Sequence, residues 1–304
     1  MLNMKKRFQK TLSWDTVKFL LAISLVIFVV QKTDFTHILL LQDRISWSWL
    51  AFRAVIVLLL LFMKAFQYYA IIGNISYKSV LDVVVWQNTI SNFISNSAGI
   101  ASYMTMLKTN ENVKLTRSGI TFLIVKFGDI VAICLYMIFS GIVVWDYIQP
   151  LQWLTILLII TMLAGLGTIL VTILWSEKFI SAVSCILALF KLNHFSIVKR
   201  SIEMLESLSH KEQKPIVAML KTGVLTSLVY MTLTMAYAYT NIGVFNLPIS
   251  AWEAIYVMSL LQLVSFIPIQ VLGGLGVADL TIVYLYGVFG IGQAEMSAIA
   301  LSLR

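Results

Sequence analysis

Charged residues are scarce in this sequence: Asp, Glu, Lys and Arg make up 12% of its 304 residues, whereas hydrophobic residues make up 60%. The mean hydropathy is +0.90. A soluble domain needs a more polar surface than this, since ordinary usage of charged residues is about 25%. The composition therefore predicts an all-α, polytopic membrane bundle in which most residues face lipid or one another.

Cysteine and histidine are also rare. The two cysteines, Cys134 and Cys185, lie in apolar surroundings, as small buried thiols do, and nothing indicates a disulfide framework. The three histidines have no ligand spacing among themselves or with the cysteines, so we expect no metal and no other cofactor. A phosphate loop, a dinucleotide fingerprint in a βαβ context and a Ser-His-Asp arrangement are all absent, so we do not expect an enzyme.

The net charge of +8 does not predict a nucleic-acid partner. A membrane protein keeps Lys and Arg on the cytoplasmic side, next to anionic lipid. The amino-terminal sequence MLNMKKRFQKTLSW precedes an apolar run without a small-residue cleavage site. We therefore expect an uncleaved first helix, about Thr16–Val30, with the amino terminus in the cytoplasm and the protein in the cell (inner) membrane.

Further apolar runs predict helices at about Trp49–Ile72, Ser118–Val144, Leu151–Trp175 and Ile216–Tyr239. Residues 176–215 cannot span throughout, and helical spacing of apolar residues at Val198–Leu208 predicts an amphipathic helix in a cytoplasmic loop. We treat 1–304 as one integral-membrane domain. Its last apolar run stops at Arg304 after about 11 residues, too few to span, which leaves open that a final helix is missing.

Four charged residues fall inside predicted helices. Arg53 and Lys64 could each snorkel to a nearby interface or serve a function in the bundle interior. Lys126 and Asp129 stand three residues apart on one helix face. They predict either a structural ion pair or a pair that grips a charged substrate.

Two apolar segments are interrupted by polar or helix-breaking residues. Val80–Leu107 is broken at Asn92–Gly99, where Asn88, Asn92 and Asn96 form a polar stripe at helical spacing. That stripe predicts either interhelical hydrogen bonds or a head-group track. The stretch Ser265–Asp279 is interrupted by proline and glycines. Within a membrane, such non-helical backbone is tolerated only where it is buried in protein or lines a water-filled cavity.

The distribution of basic residues favours one topology. If Val80–Leu107 crosses once, loops 108–117 and 176–215 carry their Lys and Arg outside, against the positive-inside tendency. If the segment enters from the cytoplasm and returns, both loops are cytoplasmic, and turns 145–150 and 244–250 are outside. We therefore predict two re-entrant helical hairpins from opposite faces, an inverted repeat of the transporter kind. Ordinary spans joined by polar contacts are the alternative.

These patterns resemble the flippase-like transmembrane domain of lysylphosphatidylglycerol synthases and its stand-alone relatives. The resemblance rests on Asn92 to Gly99, Lys126 with Asp129, Pro268 to Asp279, and Arg304. It implies translocation of lipids or lipid-linked sugars between leaflets. The chain departs from the family's usual Pro, Arg, Glu and Glu at or near Ser95, Tyr103, Val125 and Asp279.

We therefore predict that the protein moves an anionic or glycosylated lipid between leaflets, downhill or coupled to an ion. The predicted head-group site comprises Asn92, Asn96, Lys126, Asp129, Gln270, Gly273, Gly274, Asp279 and Arg304. One alternative is a membrane scaffold that docks a glycosyltransferase or lipid-modifying synthase through residues 176–215. Another is a secondary transporter of a different solute, and a homo-oligomer remains open.

Overall fold

The computed structural model describes residues 45–93, 96–174, 213–264 and 277–302. These residues form nine α-helices and no strand, which confirms the prediction of an all-α fold. The helices are α1 Trp47–Ile72, α2 Tyr77–Phe93, α3 Asn96–Glu111, α4 Leu115–Val143, α5 Gln152–Leu174, α6 Gln213–Phe245, α7 Ala251–Val264, α8 Val277–Val288 and α9 Gln293–Ser302. A 3-10 turn, Gln149–Leu151, precedes α5.

Several predictions fall on other parts of the chain. The first helix, Thr16–Val30, and the amphipathic helix, Val198–Leu208, lie outside the described residues. So do the centre of the second broken segment, 265–276, and Arg304. Those predictions stay predictions.

Four helical segments are long and apolar enough to cross a membrane: Trp47–Ile72, Leu115–Val143, Gln149–Thr168 and Ile216–Phe245. Each has at least the roughly 20 residues that a hydrocarbon core about 30 Å thick requires. The protein is therefore a multi-pass membrane protein. Its long helices agree with the predicted apolar runs, because lipid exposure demands that most positions of a span be apolar.

Two predicted loops are shorter in the structure. The predicted loop 108–117 is mostly helical, because α3 continues to Glu111 and α4 begins at Leu115. Only residues 112–114 connect them, and Asn112 has a left-handed φ of 55° that ends the helix. Helix α6 likewise continues to Phe245 rather than ending near Tyr239, and it stops where Asn246 adopts a φ of 50°.

The long helices run in alternating directions. The backbone N–H of Ser46, just before α1, donates to the carbonyl of Val244 near the end of α6. At the other end of α1, the Arg117 guanidinium donates to the carbonyl of Ile72. Helix α1 is therefore antiparallel to both α4 and α6, and the start of α4 lies beside the end of α1.

The two ends of the bundle differ in composition. We call one the aromatic end: it carries the exposed rings Trp47, Trp145, Tyr147, Trp153 and Trp252. We call the other the basic end: it carries the exposed residues Lys78, Lys108, Lys114, Arg117 and Lys221. No Lys or Arg occurs in the described turns of the aromatic end, 144–151 and 246–250. Tryptophan and tyrosine belts mark membrane–water interfaces, and Lys and Arg cluster on the cytoplasmic side.

Helices α2 and α3 pack side by side. A Cβ at Gly99 on α3 would lie 1.8 Å from the Ser91 Oγ and 2.8 Å from the Gln87 carbonyl of α2, so only glycine permits this approach. Val80, Tyr103 and residues at the basic ends of α1 and α4 share one buried cluster. The chain therefore enters and leaves this helix pair at the basic end of the bundle.

Helices α7, α8 and α9 pack at the aromatic end. Tyr256 of α7, Tyr286 of α8 and Met296 of α9 share one buried cluster with Phe245 and the turn residue Ile148. Tyr256 also forms a 2.5 Å hydrogen bond with Thr155 of α5. This arrangement puts the start of α7 and the end of α8 near the same end of the bundle, opposite to the pair α2–α3.

Candidate functional site

A close crossing of α4 and α6 creates the most polar part of the described interior. A Cβ at Gly128 would lie 2.6 Å from the Gly223 carbonyl oxygen and 2.6 Å from the Ser227 Oγ. A Cβ at Gly223 would lie 2.8 Å from Ile124. Small residues permit such approaches between membrane helices, where van der Waals packing replaces hydrophobic association. The next residue on α4, Asp129, is thereby placed against α1 and α6.

Asp129 accepts three hydrogen bonds at this crossing. Lys64 Nζ of α1 lies 2.9 Å from Asp129 Oδ2, and their side chains are 13% and 3% exposed. On the other carboxylate oxygen, Gln67 Nε2 donates at 3.2 Å and Ser227 Oγ at 2.9 Å. Gln67 Nε2 also lies 2.8 Å from the Ser227 Oγ. A buried ion pair stays charged only when hydrogen bonds satisfy its remaining lone pairs, as here.

Aromatic rings complete the surroundings of the Lys64 ammonium. Its Nζ lies 4.4 Å from the ring centroid of Tyr230 and 5.7 Å from that of Tyr68. Such cation–π contacts are stronger where water is excluded. The Lys64 charge is therefore held by one carboxylate and two ring faces, well inside α1.

Polar atoms without partners continue from this network towards the pair α2–α3. Gln67 Oε1 and the Tyr103 hydroxyl are buried and have no hydrogen-bond partner within the described ranges. The Tyr103 ring lies 4.6 Å from that of Tyr68. The side chains of Tyr68 and Gln87 are neighbours, but among the described residues neither the Tyr68 hydroxyl nor Gln87 Oε1 has a partner of hydrogen-bonding geometry. Buried polar atoms left unpaired are costly, and a polar ligand would satisfy them.

An apolar groove lies between α4, α5, α7 and α8. Its volume is about 630 Å³, and leucine, isoleucine and methionine side chains dominate its walls, among them Ile130, Leu158, Met162 and Leu263. Two threonines, one glycine, Val264 and the ring of Tyr284 complete the lining as minor members. The groove is wide enough for a hydrocarbon chain, but it has few polar groups that would bind a lipid head group.

The family described as Lysylphosphatidylglycerol synthase TM region matches residues 16–304 of the chain. The chain belongs to this family. Searches of the curated proteins and of the solved structures found no match. The match confirms the resemblance noted in the sequence, and it makes the chain a lipid-related membrane protein.

In this member of the lysylphosphatidylglycerol synthase TM region, Asp129 is a network residue, but its ion-pair partner is Lys64 rather than Lys126. Lys126 is half-buried and adds a second positive charge near the pair, with its Nζ 5.8 Å from the Phe122 ring. An i, i+3 spacing allows contact between side chains but does not demand it. Here Ser227 and Gln67 donate to Asp129 Oδ1, and Lys64 of α1 donates to Oδ2.

Three other predicted site residues, Asn92, Asn96 and Asp279, make no hydrogen bond to the side chains of this network. Asn92 is exposed near the end of α2, and Asn96 is half-buried at the start of α3. The polar stripe is therefore interrupted, because its third asparagine belongs to a different helix. Asp279 is 2% exposed in the first turn of α8. Gln270, Gly273, Gly274 and Arg304 lie outside the described residues.

Sequence reasoning missed Gln67, Ser227 and Tyr230, and it left open whether Lys64 reaches an interface or acts in the bundle interior. Lys64 does not snorkel, because it pairs with Asp129 inside the bundle, whereas Arg53 is 7% exposed and donates to Asn241 and Tyr237 of α6. A signal did exist for Lys64, since Gln67 follows it by three residues and Tyr68 by four, giving one polar face on an otherwise apolar helix. In the described part of the chain, no three His, Cys, Asp or Glu side chains gather as a metal site requires.

Proposed function

We propose that this protein moves an anionic or glycosylated lipid between the leaflets of the membrane, without catalysing a covalent reaction. The observation that carries the proposal is the buried network of Lys64, Asp129, Gln67 and Ser227 at the crossing of α1, α4 and α6. Charged groups inside a membrane bundle are costly and usually mark a substrate or ion pathway.

The unpaired polar atoms beside the network suit a head group. A hydroxyl-rich or charged head group would donate to Gln67 Oε1 and exchange hydrogen bonds with the Tyr103 hydroxyl. The Lys64 ammonium would attract its phosphate. The apolar groove between α5 and α8 would hold hydrocarbon chains while the head group crosses.

The two helix pairs support a symmetric path. Pair α2–α3 begins and ends at the basic end, and α7 with α8 packs at the aromatic end. We propose that both are re-entrant hairpins, because broken membrane helices that meet near the midplane form substrate sites in many transporters.

The composition of the two ends supports an orientation. We propose that the basic end faces the cytoplasm and the aromatic end the outer face of the cell (inner) membrane. A first helix at Thr16–Val30 would then start in the cytoplasm. In a chain with Cys134 and Cys185 replaced by Ala, a membrane-impermeant maleimide should label Tyr147→Cys in intact cells. It should label Lys114→Cys only after permeabilisation, and the reverse pattern would reject this orientation.

Leaflet exchange in liposomes tests the central proposal. Purified protein would be reconstituted with fluorescent phospholipids or lipid-linked sugars, and exchange followed by quenching of the outer leaflet. We expect exchange above empty vesicles for at least one lipid class. The double variant Lys64→Met/Asp129→Asn should slow it at least tenfold, because head-group contacts of about 1.5–3 kcal/mol are lost.

The matched control is Lys78→Met/Asp82→Asn. These residues have the same charges and stand four apart on the exposed face of α2, so their replacement should leave exchange within about twofold of wild type. No exchange for any lipid would reject translocation. It would favour a scaffold for a glycosyltransferase or synthase, which co-purification of such a partner would show.

A further inference from the structure

A second cation lies inside the bundle, near the aromatic end. Arg53 of α1 is 7% exposed. Its Nη1 donates to the Asn241 Oδ1 and its Nη2 to the Tyr237 hydroxyl, both on α6. The guanidinium carbon also lies 4.1 Å from the ring centroid of Tyr237. The arginine side chain is thus fixed in position by two neutral groups.

Among the described residues, no carboxylate lies beside the charge of Arg53. Its electrostatic neighbours among the described residues are Tyr237 and Tyr286, whereas the other buried cation, Lys64, has Asp129. A desolvated guanidinium without an anion is costly. Asn241 supplies a neutral amide oxygen to the guanidinium. An aspartate of nearly the same shape at this position would neutralise the charge of Arg53.

Arg53 also keeps hydrogen-bonding capacity. A guanidinium has five N–H donors in a planar fork that matches phosphate oxygens. Asn241 and Tyr237 each accept from one nitrogen. Both residues are half-buried, and the other N–H donors of the guanidinium have no hydrogen-bond partner among the described residues.

The position of Arg53 fits a lipid phosphate. Trp49, one turn earlier on α1, packs edge-on against Tyr239 of α6 in the aromatic end. Gly243 permits this packing, because a Cβ there would lie 2.2 Å from the Trp49 ring. Such rings occupy the head-group level of a bilayer. Arg53 therefore lies about 6 Å below that level, given a rise of 1.5 Å per residue.

We propose that Arg53, together with Asn241 and Tyr237, binds the phosphate of a membrane phospholipid in the leaflet at the aromatic end. This site is separate from the Lys64–Asp129 network, which lies 11 residues or about 16 Å further along α1. It rests on the proposed function only in taking a lipid as the ligand. Arg53 and Lys64 would then be two successive phosphate-binding positions along α1.

Replacing Asn241 by Asp separates this proposal from a purely structural role of Arg53. The Asn241→Asp carboxylate pairs with the guanidinium in place, so a structural tie between α1 and α6 would be kept or strengthened. Phosphate binding would be lost, because the charge would already be neutralised. Asn246→Asp is the matched control: it adds the same charge at the same end, at an exposed residue whose left-handed backbone Asp tolerates.

The measurement is native mass spectrometry of the detergent-purified full chain, titrated with phosphatidylglycerol or with diacylglycerol of the same acyl chains. Wild type should hold one phosphatidylglycerol at least tenfold more tightly than diacylglycerol, as expected for charge-assisted hydrogen bonds. Asn241→Asp and Arg53→Gln should lose that one lipid while Asn246→Asp keeps it. Thermal unfolding should show Asn241→Asp to be at least as stable as wild type.

Two results would overturn the proposal. One is an unchanged phosphatidylglycerol titration in Asn241→Asp. The other is release of the bound lipid by millimolar inorganic phosphate, which would assign the site to a free anion. The readout is binding, so loss of the lipid in Asn241→Asp supports this site even if the liposomes show no leaflet exchange and translocation is rejected.

Discussion

The Lys64–Asp129 pair gives a quantitative test of how the interior is held together. The variants are Lys64→Met and Asp129→Asn, each close in shape to the residue it replaces, and their combination. Asp129→Asn can still accept hydrogen bonds from Gln67 and Ser227, but it leaves the Lys64 ammonium without its counter-charge at 13% exposure.

The expected magnitudes follow from burial. Removing one partner of a buried ion pair costs about 3–5 kcal/mol, because the remaining charge stays desolvated. The double variant removes both charges and should cost about 1–2 kcal/mol, mostly for weakened hydrogen bonds. The coupling energy, which is the summed cost of the two single variants less the cost of the double variant, should therefore be about 4 kcal/mol or more.

Reversible unfolding in mixed micelles with increasing SDS would measure this cycle for all four proteins. The exposed pair Lys78→Met and Asp82→Asn provides the comparison, since solvent-facing charges four residues apart couple by only about 0.5 kcal/mol. A coupling energy below about 0.5 kcal/mol at Lys64–Asp129 would refute the interpretation of a desolvated, mutually dependent pair. It would mean that water or another group compensates each charge separately.

Three further outcomes follow from the packing. Gly128→Ala should destabilise the protein by about 1–3 kcal/mol in the same SDS titration, because its Cβ would lie 2.6 Å from the Gly223 carbonyl oxygen. The control Gly165→Ala should be neutral, since a Cβ there would meet nothing within 4 Å. Tyr256→Phe should cost about 1 kcal/mol by thermal unfolding, since it removes one buried hydrogen bond to Thr155; no change would mean that this bond is replaced. The Cys134 thiol, 3% exposed, should resist maleimide until unfolding, and rapid labelling of the native protein would contradict the packing of α4.

The helices themselves were predictable because the membrane imposes a simple rule. A span needs about 20 apolar residues and no unsatisfied backbone groups. The predicted run Trp49–Ile72 therefore agrees with α1 to within two residues. Helix ends were harder, as at α6, because polar residues such as Thr240 and Asn241 can continue a helix inside a bundle.

The candidate site was predictable only in part. Asp129 was identified because an acid in an apolar helix is costly wherever it lies. Its partner was not identified, since Lys126 is three residues away and Lys64 is 65 residues away along the chain. Local spacing favours Lys126 as the partner. Asp129 pairs with Lys64 instead, at the place where α4 packs against α6 through Gly128 and Gly223.

The direction of Arg53 illustrates the same limit. On a sequence, an arginine two turns inside a span is compatible with snorkelling to the interface. In the structure it faces α6, where Tyr237 and Asn241 hold it. Helix rotation is set by neighbouring helices, and those neighbours come from a segment more than 180 residues later.

By itself, the sequence determined the class of protein, the apolar spans and the family, because each depends on composition or on short motifs. The tertiary structure alone decided which polar groups meet: Lys64 with Asp129, and Arg53 with Asn241. The physical reason is that burial cost is a local property of a residue. Its compensation depends on atoms that only the packing of distant helices brings within hydrogen-bonding distance.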